Sequence, residues 1–261
     1  MLLTSVIIVL REVLEAALLV SILLALSTVL DISRRWVIWS LAFGLAGAAI
    51  YSISVAAISD WFDGVGQEVT SALLQFLVYL LLFLFALLLL RSSGSRRLPE
   101  KLTMLIFAAT VSLAITREGF EVLVYIYGFS TVLPQFVTIL LGSAIGASIG
   151  VSIGALIYYF ICSLSCRQSL VVGIGLLALV AAGMLSQAVL LLIQADWLPS
   201  QLPVWDSSGW LSEESVTGQL MYALVGYEAT PTALQASFYF GGLLLLLIVA
   251  VFAIRSRRDF V

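Results

Sequence analysis

Long apolar runs separated by short polar breaks fill this chain, and each run is long enough to form a helix that crosses a bilayer. About 20 apolar residues span the hydrocarbon at ~1.5 Å of rise per residue. Seven stretches reach that length, at residues 2–30, 36–58, 68–90, 103–128, 135–161, 169–195 and 234–254. The breaks lie at 31–35, 59–67, 91–101, 130–134, 162–168 and, much longer, 196–233. The pattern predicts an all-α polytopic membrane protein with seven transmembrane helices.

Composition agrees with that picture and removes others. The chain is 62% hydrophobic and 10% charged, with a mean hydropathy of +1.16, outside the range of soluble globular domains. It carries no basic stripe for phosphates, so no nucleic-acid partner is expected. Outside two special strings, basic residues fall only in alternate breaks and the tail: Arg34 and Arg35; Arg91, Arg96, Arg97 and Lys101; Arg167; Arg255, Arg257 and Arg258. The positive-inside rule therefore puts the N-terminus outside and the C-terminus in the cytoplasm, which requires an odd number of spans and agrees with seven. The other side carries Asp60, Asp63, Glu68, Asp196, Asp206, Glu213, Glu214 and Glu228. Such a face concentrates cations, although solvated loops also carry acids. The start of the chain has no basic segment, and Arg11 and Glu12 interrupt what would be a signal-peptide core, so a retained first span is expected. With no histidine and only Cys162 and Cys166, a metal site must be built mostly from oxygen ligands, which suit hard cations. The two cysteines read as reduced packing residues.

The candidate chemistry lies in the two special strings, Arg11-Glu12-Val13-Leu14-Glu15 and Arg117-Glu118-Gly119-Phe120-Glu121. Charge at the bilayer centre costs roughly 2.5–3.5 kcal/mol per group even on lenient insertion scales, so these residues need partners or a task. Glutamates three apart share a helix face, and Arg11 with Glu15, like Arg117 with Glu121, has the four-residue spacing of an intrahelical ion pair. Should the two helices cross, four carboxylates and two guanidinium groups converge on one net-negative pocket. That pocket suits a small, highly charged cation. The plainer alternative is a pair of self-neutralised Arg–Glu contacts that hold helices together, but it leaves one glutamate in each string without a role. Helix adhesion in membranes also ordinarily uses small or neutral polar residues.

The strings begin 106 positions apart, in spans one and four, which run in opposite directions. That is the mark of an inverted three-plus-three helix repeat plus a seventh helix. Glu12 and Glu118 each lie roughly 15 Å from the outer end of their span, so both strings reach the same depth. The expected organisation is a single integral-membrane domain over 1–261, with repeat one at about 1–102, repeat two at about 103–195, an outer loop at 196–233 and the last helix at 234–254. Span five carries Gly142, Gly146, Gly150 and Gly154, a ridge for close packing, expected to be intramolecular. In the outer loop, 213–226 is expected to form a short amphipathic helix, with Trp197, Trp205 and Trp210 as interfacial anchors. Thr230, Pro231 and Thr232 suit the start of the last span. Gln67 and Glu68, with Gln75 two turns deeper, read as an access step, and Gln187 and Glu228 as further pathway candidates.

At these residues the chain resembles the oxidase-dependent iron permease family, which comprises fungal high-affinity iron permeases and bacterial EfeU-like iron transporters. Its Arg-Glu-Gly-Leu-Glu pattern in the first and fourth helices stands here as REVLEAALLVS and TREGFEVLVY, with further matches at Val180–Met184 (VAAGM) and Gly226–Thr232 (GYEATPT). The resemblance implies a multi-pass protein of the inner or plasma membrane, not an enzyme, with iron as transported substrate and no tightly bound cofactor. It implies metal binding by Glu12, Glu15, Glu118 and Glu121, with Arg11 and Arg117 as companions, and an extracytoplasmic oxidase or iron-delivery protein as partner. The sequence departs from the family in having Val13 where glycine is usual, and in lacking a second acid after Gln67-Glu68. The expected function is import of Fe(III), coupled to oxidation of Fe(II) outside the membrane. The alternatives are transport of another cation, such as manganese or lead, a membrane-embedded metalloenzyme, and a sensor or assembly protein that binds metal without moving it.

Overall fold

The computed structural model describes residues 2–92, 98–129, 133–213 and 215–256, so Arg96, Arg97, Glu214, Arg257 and Arg258 lie outside the described residues. The helices are α1 (Leu2–Val29), α2 (Trp36–Ser59), α3 (Gly66–Arg91), α4 (Glu100–Gly128), α5 (Leu133–Ser163), α6 (Cys166–Gln194), α7 (Val216–Val225) and α8 (Ala233–Ser256). All seven predicted spans are helices, and the short helix expected in the outer loop is α7. Among the described residues, α2–α6 and α8 are long and apolar enough to cross a membrane. The 28-residue α1 is as long and carries the first charged string.

Local sequence sets the helix ends. α6 starts with a reciprocal capping box between Ser165 and Gln168. α8 starts with another: Thr232 N–H donates to Gln235 Oε1 (2.9 Å), and Gln235 N–H donates to Thr232 Oγ1 (3.3 Å). Between α2 and α3 a 3-10 turn (Trp61–Gly64) reverses the chain, with Phe62, Asp63 and Gly64 in positive-φ conformations. α7 is capped by Ser215, which accepts from the Gly218 N–H (3.0 Å), and it stops at left-handed Gly226 (φ 66°).

The two most extensive pairings are α1 with α5 and α2 with α4, and each depends on small residues. All four glycines of the α5 ridge face α1: a Cβ on Gly146 would stand 2.4 Å from the Val6 carbonyl oxygen, and one on Gly142 would stand 2.7 Å from Ser5 Cβ. The ridge therefore packs within the chain, as its spacing predicted. α2 carries a matching seam, where a Cβ on Gly47 would stand 2.3 Å from Thr116 Oγ1 and one on Gly44 2.7 Å from Ile115 Cβ. α3 and α6 pack on each other in the middle, with α8 against both.

Toward the C-terminal end of α1, Leu19, Ile22, Leu23 and Leu26 join one continuous apolar core with α3, α4 and α6. Trp36, Phe107 and Phe85 form successive edge-to-face contacts there (5.5 and 4.8 Å between ring centres), and the Trp36 indole N–H donates to Ser27 Oγ. α7 is folded into the bundle, since Ala223 clusters with Leu14 and Leu18 of α1. The backbone of Gly226 lies against that of Gly183 on α6, so close that a Cβ on Gly183 would stand 2.9 Å from Gly226 Cα. The described basic residues outside the strings, Arg34, Arg35, Arg91, Lys101, Arg167 and Arg255, are exposed or lie at helix ends. Cys162 and Cys166 are free thiols.

Candidate metal centre

The two charged strings meet where α1 contacts α4. Glu12, Glu15, Glu118 and Arg117 are buried, whereas Arg11 and Glu121 form the accessible edge, with side chains 33% and 29% exposed. Arg117 stands among all four carboxylates. Its Nη1 lies 2.6 Å from Glu118 Oε2, 3.7 Å from Glu15 Oε2 and 3.9 Å from Glu12 Oε2, and its Nη2 lies 2.7 Å from Glu121 Oε1. Arg11 donates from Nη2 (2.5 Å) and Nε (2.8 Å) to Glu12 Oε1 and reaches Glu121 Oε2 at 3.9 Å. Only Arg117–Glu121 follows the four-residue intrahelical rule. In the first string Arg11 pairs with its neighbour Glu12 and, across the crossing, with Glu121, while Glu15 faces Arg117. Arg11 finds Glu12 at 2.5 Å on its own helix, and α4 brings Glu121 and Arg117 to the same face, so both partners of the four-residue spacing have opposite charge elsewhere.

Two guanidinium groups cannot satisfy four carboxylates. Glu12 Oε2, Glu15 Oε1 and Glu118 Oε1 are buried with no hydrogen-bond partner. Oxygens of Glu12, Glu118 and Glu121 lie within 4.8 Å of one another. This is close to the ~4–5 Å that separates two oxygens on opposite sides of one hard cation bound at ~2.0–2.6 Å. Glu15 is not part of this trio.

The sequence matches the Iron permease FTR1 family over residues 2–258. The chain belongs to that family. It is thereby assigned to iron transport, and the six helices long and apolar enough to cross a membrane among the described residues make it a multi-pass membrane protein. No curated protein and no solved structure matches it.

The other predicted residues of this FTR1-family permease fall into two groups. Gln187 joins the centre: it stands against Glu15 and accepts a short hydrogen bond from the Gln75 amide. Gln75 is almost wholly buried. Gln67, Glu68 and Glu228 stay outside the cluster. The Gln67 carbonyl accepts from the Tyr51 hydroxyl (3.2 Å), and the Tyr51 ring stacks on Phe120 of the second string (3.9 Å between ring centres). Tyr51 thus stands within electrostatic reach of both Glu68 and Glu121. Glu228 lines a cavity of about 210 Å³ with Ser186, Tyr227 and Tyr239, and both of its oxygens accept from Gln235 Nε2 (2.7 and 2.6 Å). Burial pushes its carboxyl above the ordinary glutamate range, partly offset by the Gln235 amide and reinforced by nearby Glu213.

Two contacts were not anticipated. The Tyr222 ring of α7 lies 5.4 Å from the Arg11 guanidinium carbon, a cation–π contact. A second cavity, of about 280 Å³, lies beside Glu12 and Glu118, with otherwise apolar walls that include Val13, Leu45, Ala48 and Ile115. Tyr222 sits in the long connection between α6 and α8, whose inward fold has no signature in hydropathy. The cavity depends on how α1, α2 and α4 pack, which spacing within any one helix does not report.

Proposed function

We propose that this permease imports Fe(III) through a glutamate site made by its two Arg-Glu-x-x-Glu strings. The observation that carries the reading is the meeting of Glu12 with Glu118 and Glu121, acids from two distant helices whose oxygens lie within 4.8 Å of one another. A trivalent ion would take the partnerless oxygens of Glu12 and Glu118 and compete with Arg117 for the others. Arg117 is then a tethered counter-ion that limits the repulsion among the acids until the cargo arrives. The membrane potential favours import, since ~2.3 kcal/mol per charge at 100 mV gives about 7 kcal/mol for three charges.

In this reading α1 is a seventh span, the N-terminus is outside and the C-terminus cytoplasmic, and α1–α3 and α4–α6 are inverted repeats in the inner or plasma membrane. Matching contacts support the repeat. Gly146 on α5 meets the Val6 carbonyl of α1, and Gly44 on α2 meets the Ser112 carbonyl of α4. Each of these residues has its counterpart in the other half, Val6 with Ser112 and Gly44 with Gly146. Oxidation of Fe(II) by an extracytoplasmic oxidase would supply the ion. Glu68 and Glu228, on the acidic outer side, are its candidate access residues.

The test is radio-iron uptake into vesicles that contain only this chain, with ferric and ferrous iron compared and manganese and lead as competitors. Ferric uptake is expected and should be abolished by Glu12→Gln or Glu118→Gln in protein that inserts normally. Undiminished uptake by either variant would refute the shared site.

A further inference from the structure

We propose that Glu15, Gln75 and Gln187 form a second cation position beside the Glu12–Glu118–Glu121 trio, occupied by the ion once it leaves those three acids. The inference rests on the transport reading above and extends it from one binding place to two.

The first ground is the uneven division of the acids. Three carboxylates gather within 4.8 Å of one another, while the fourth, Glu15, is not in that trio and borders Arg117 (3.7 Å) and Gln187. The second ground is the state of the donors. Gln75 on α3 is 1% exposed and spends its amide N–H on Gln187 of α6, yet its own Oε1 has no partner. The buried Glu15 Oε1 also has none. A buried polar atom without a partner is destabilising, and two leucines would pack α3 against α6 without that penalty. A glutamine pair kept only for adhesion would be expected to satisfy its own oxygens.

Chemistry gives this arrangement a use. Conduction needs sites weak or numerous enough to let a highly charged ion go, which three carboxylates alone do not favour. One carboxylate and two neutral amides, next to a guanidinium, make a weaker set of hard oxygen donors. The ion would pass from the acidic trio to this set without meeting the apolar core bare.

The experiment uses the full chain in vesicles with ferric citrate as the probe, and follows iron bound per chain, uptake rate and release rate. Gln75→Leu is expected to keep the wild-type amount of iron at the trio but to slow uptake at least tenfold. Gln75→Glu, which places a carboxylate at the second position, is expected to retain one additional iron per chain and to release it more slowly than wild type. Wild-type uptake by Gln75→Leu, or unchanged iron content and release in Gln75→Glu, overturns the proposal. Should Gln75→Leu fail to fold, Gln75→Glu decides alone, because a merely structural glutamine gives no extra retained ion. Glu118→Gln separates the two levels: unchanged binding and uptake in that variant refutes the trio itself, whatever Gln75 does.

Discussion

Gly150 of α5 lies under Val13 of α1, so close that a Cβ on the glycine would stand 3.1 Å from Val13 Cγ1. At the α2–α4 crossing the sizes are exchanged: Gly119 of α4 meets Ala48 of α2, with 3.0 Å from a built Cβ to Ala48 Cβ. Val13, where the resemblance leads one to expect glycine, is therefore matched by a glycine on the facing helix. Val13→Gly alone should destabilise the protein, mainly through lost packing, with about 0.3 kcal/mol more from helix propensity. Adding Gly150→Ala should restore part of the loss. A double-mutant cycle by thermal melting in detergent is expected to show coupling of roughly 0.5–3 kcal/mol, and strictly additive effects would contradict the paired-size account.

The glycine ridge makes a position-specific prediction. Gly146→Ala pushes a methyl into the Val6 carbonyl of α1 and should cost about 1–3 kcal/mol, the usual penalty of overpacking. Gly175→Ala, on α6 with nothing within 4 Å of the added carbon, should be neutral or stabilising. Melting temperatures of the two variants, measured side by side, check this.

Arg117 is the common partner of four acids, so Arg117→Gln leaves buried carboxylates without their main counter-charge. A loss of about 3–5 kcal/mol is expected. Because cargo and guanidinium compete for the same oxygens, ferric citrate should raise the melting temperature of this variant more than that of the wild type. An equal or smaller ligand effect in the variant would mean that the ion does not bind among these acids.

Glu228 predicts a pH effect in the connection between α7 and α8. Its carboxyl binds protons more tightly when folded, owing to burial, so the folded state holds more protons than the unfolded chain from the ordinary value of 4.5 upward. Its contribution to stability is full below that value and is lost as pH rises through the raised value. Glu228→Gln should flatten this part of the melting-temperature profile and gain stability relative to wild type as pH rises across that window. Parallel profiles for the two proteins would refute it.

Much of the architecture was legible because the bilayer makes run length a strong signal, and charges within apolar runs announce themselves. The convergence of Glu12 and Glu118 followed from depth and opposed helix direction. The pairing of Arg11 did not, because the four-residue rule leaves out both its chain neighbour Glu12 and Glu121 on the facing helix. Gln75 read as an access residue from its distance to the helix start, whereas its partner Gln187 lies 112 positions away. The partner of the α5 ridge was equally out of reach, since spacing shows that a helix has a flat side but not which helix lies on it.

The contact between Gly183 and Gly226 has a consequence for biogenesis. A ribosome that has finished α1–α6 has already made every acid of the centre, yet the ring that covers Arg11 and the residues that pack over Leu14 and Leu18 belong to α7, still to be translated. Until α7 is made, the charged crossing lacks its cover. Maturation ends only when the final quarter of the polypeptide threads back and docks, one bare backbone against another.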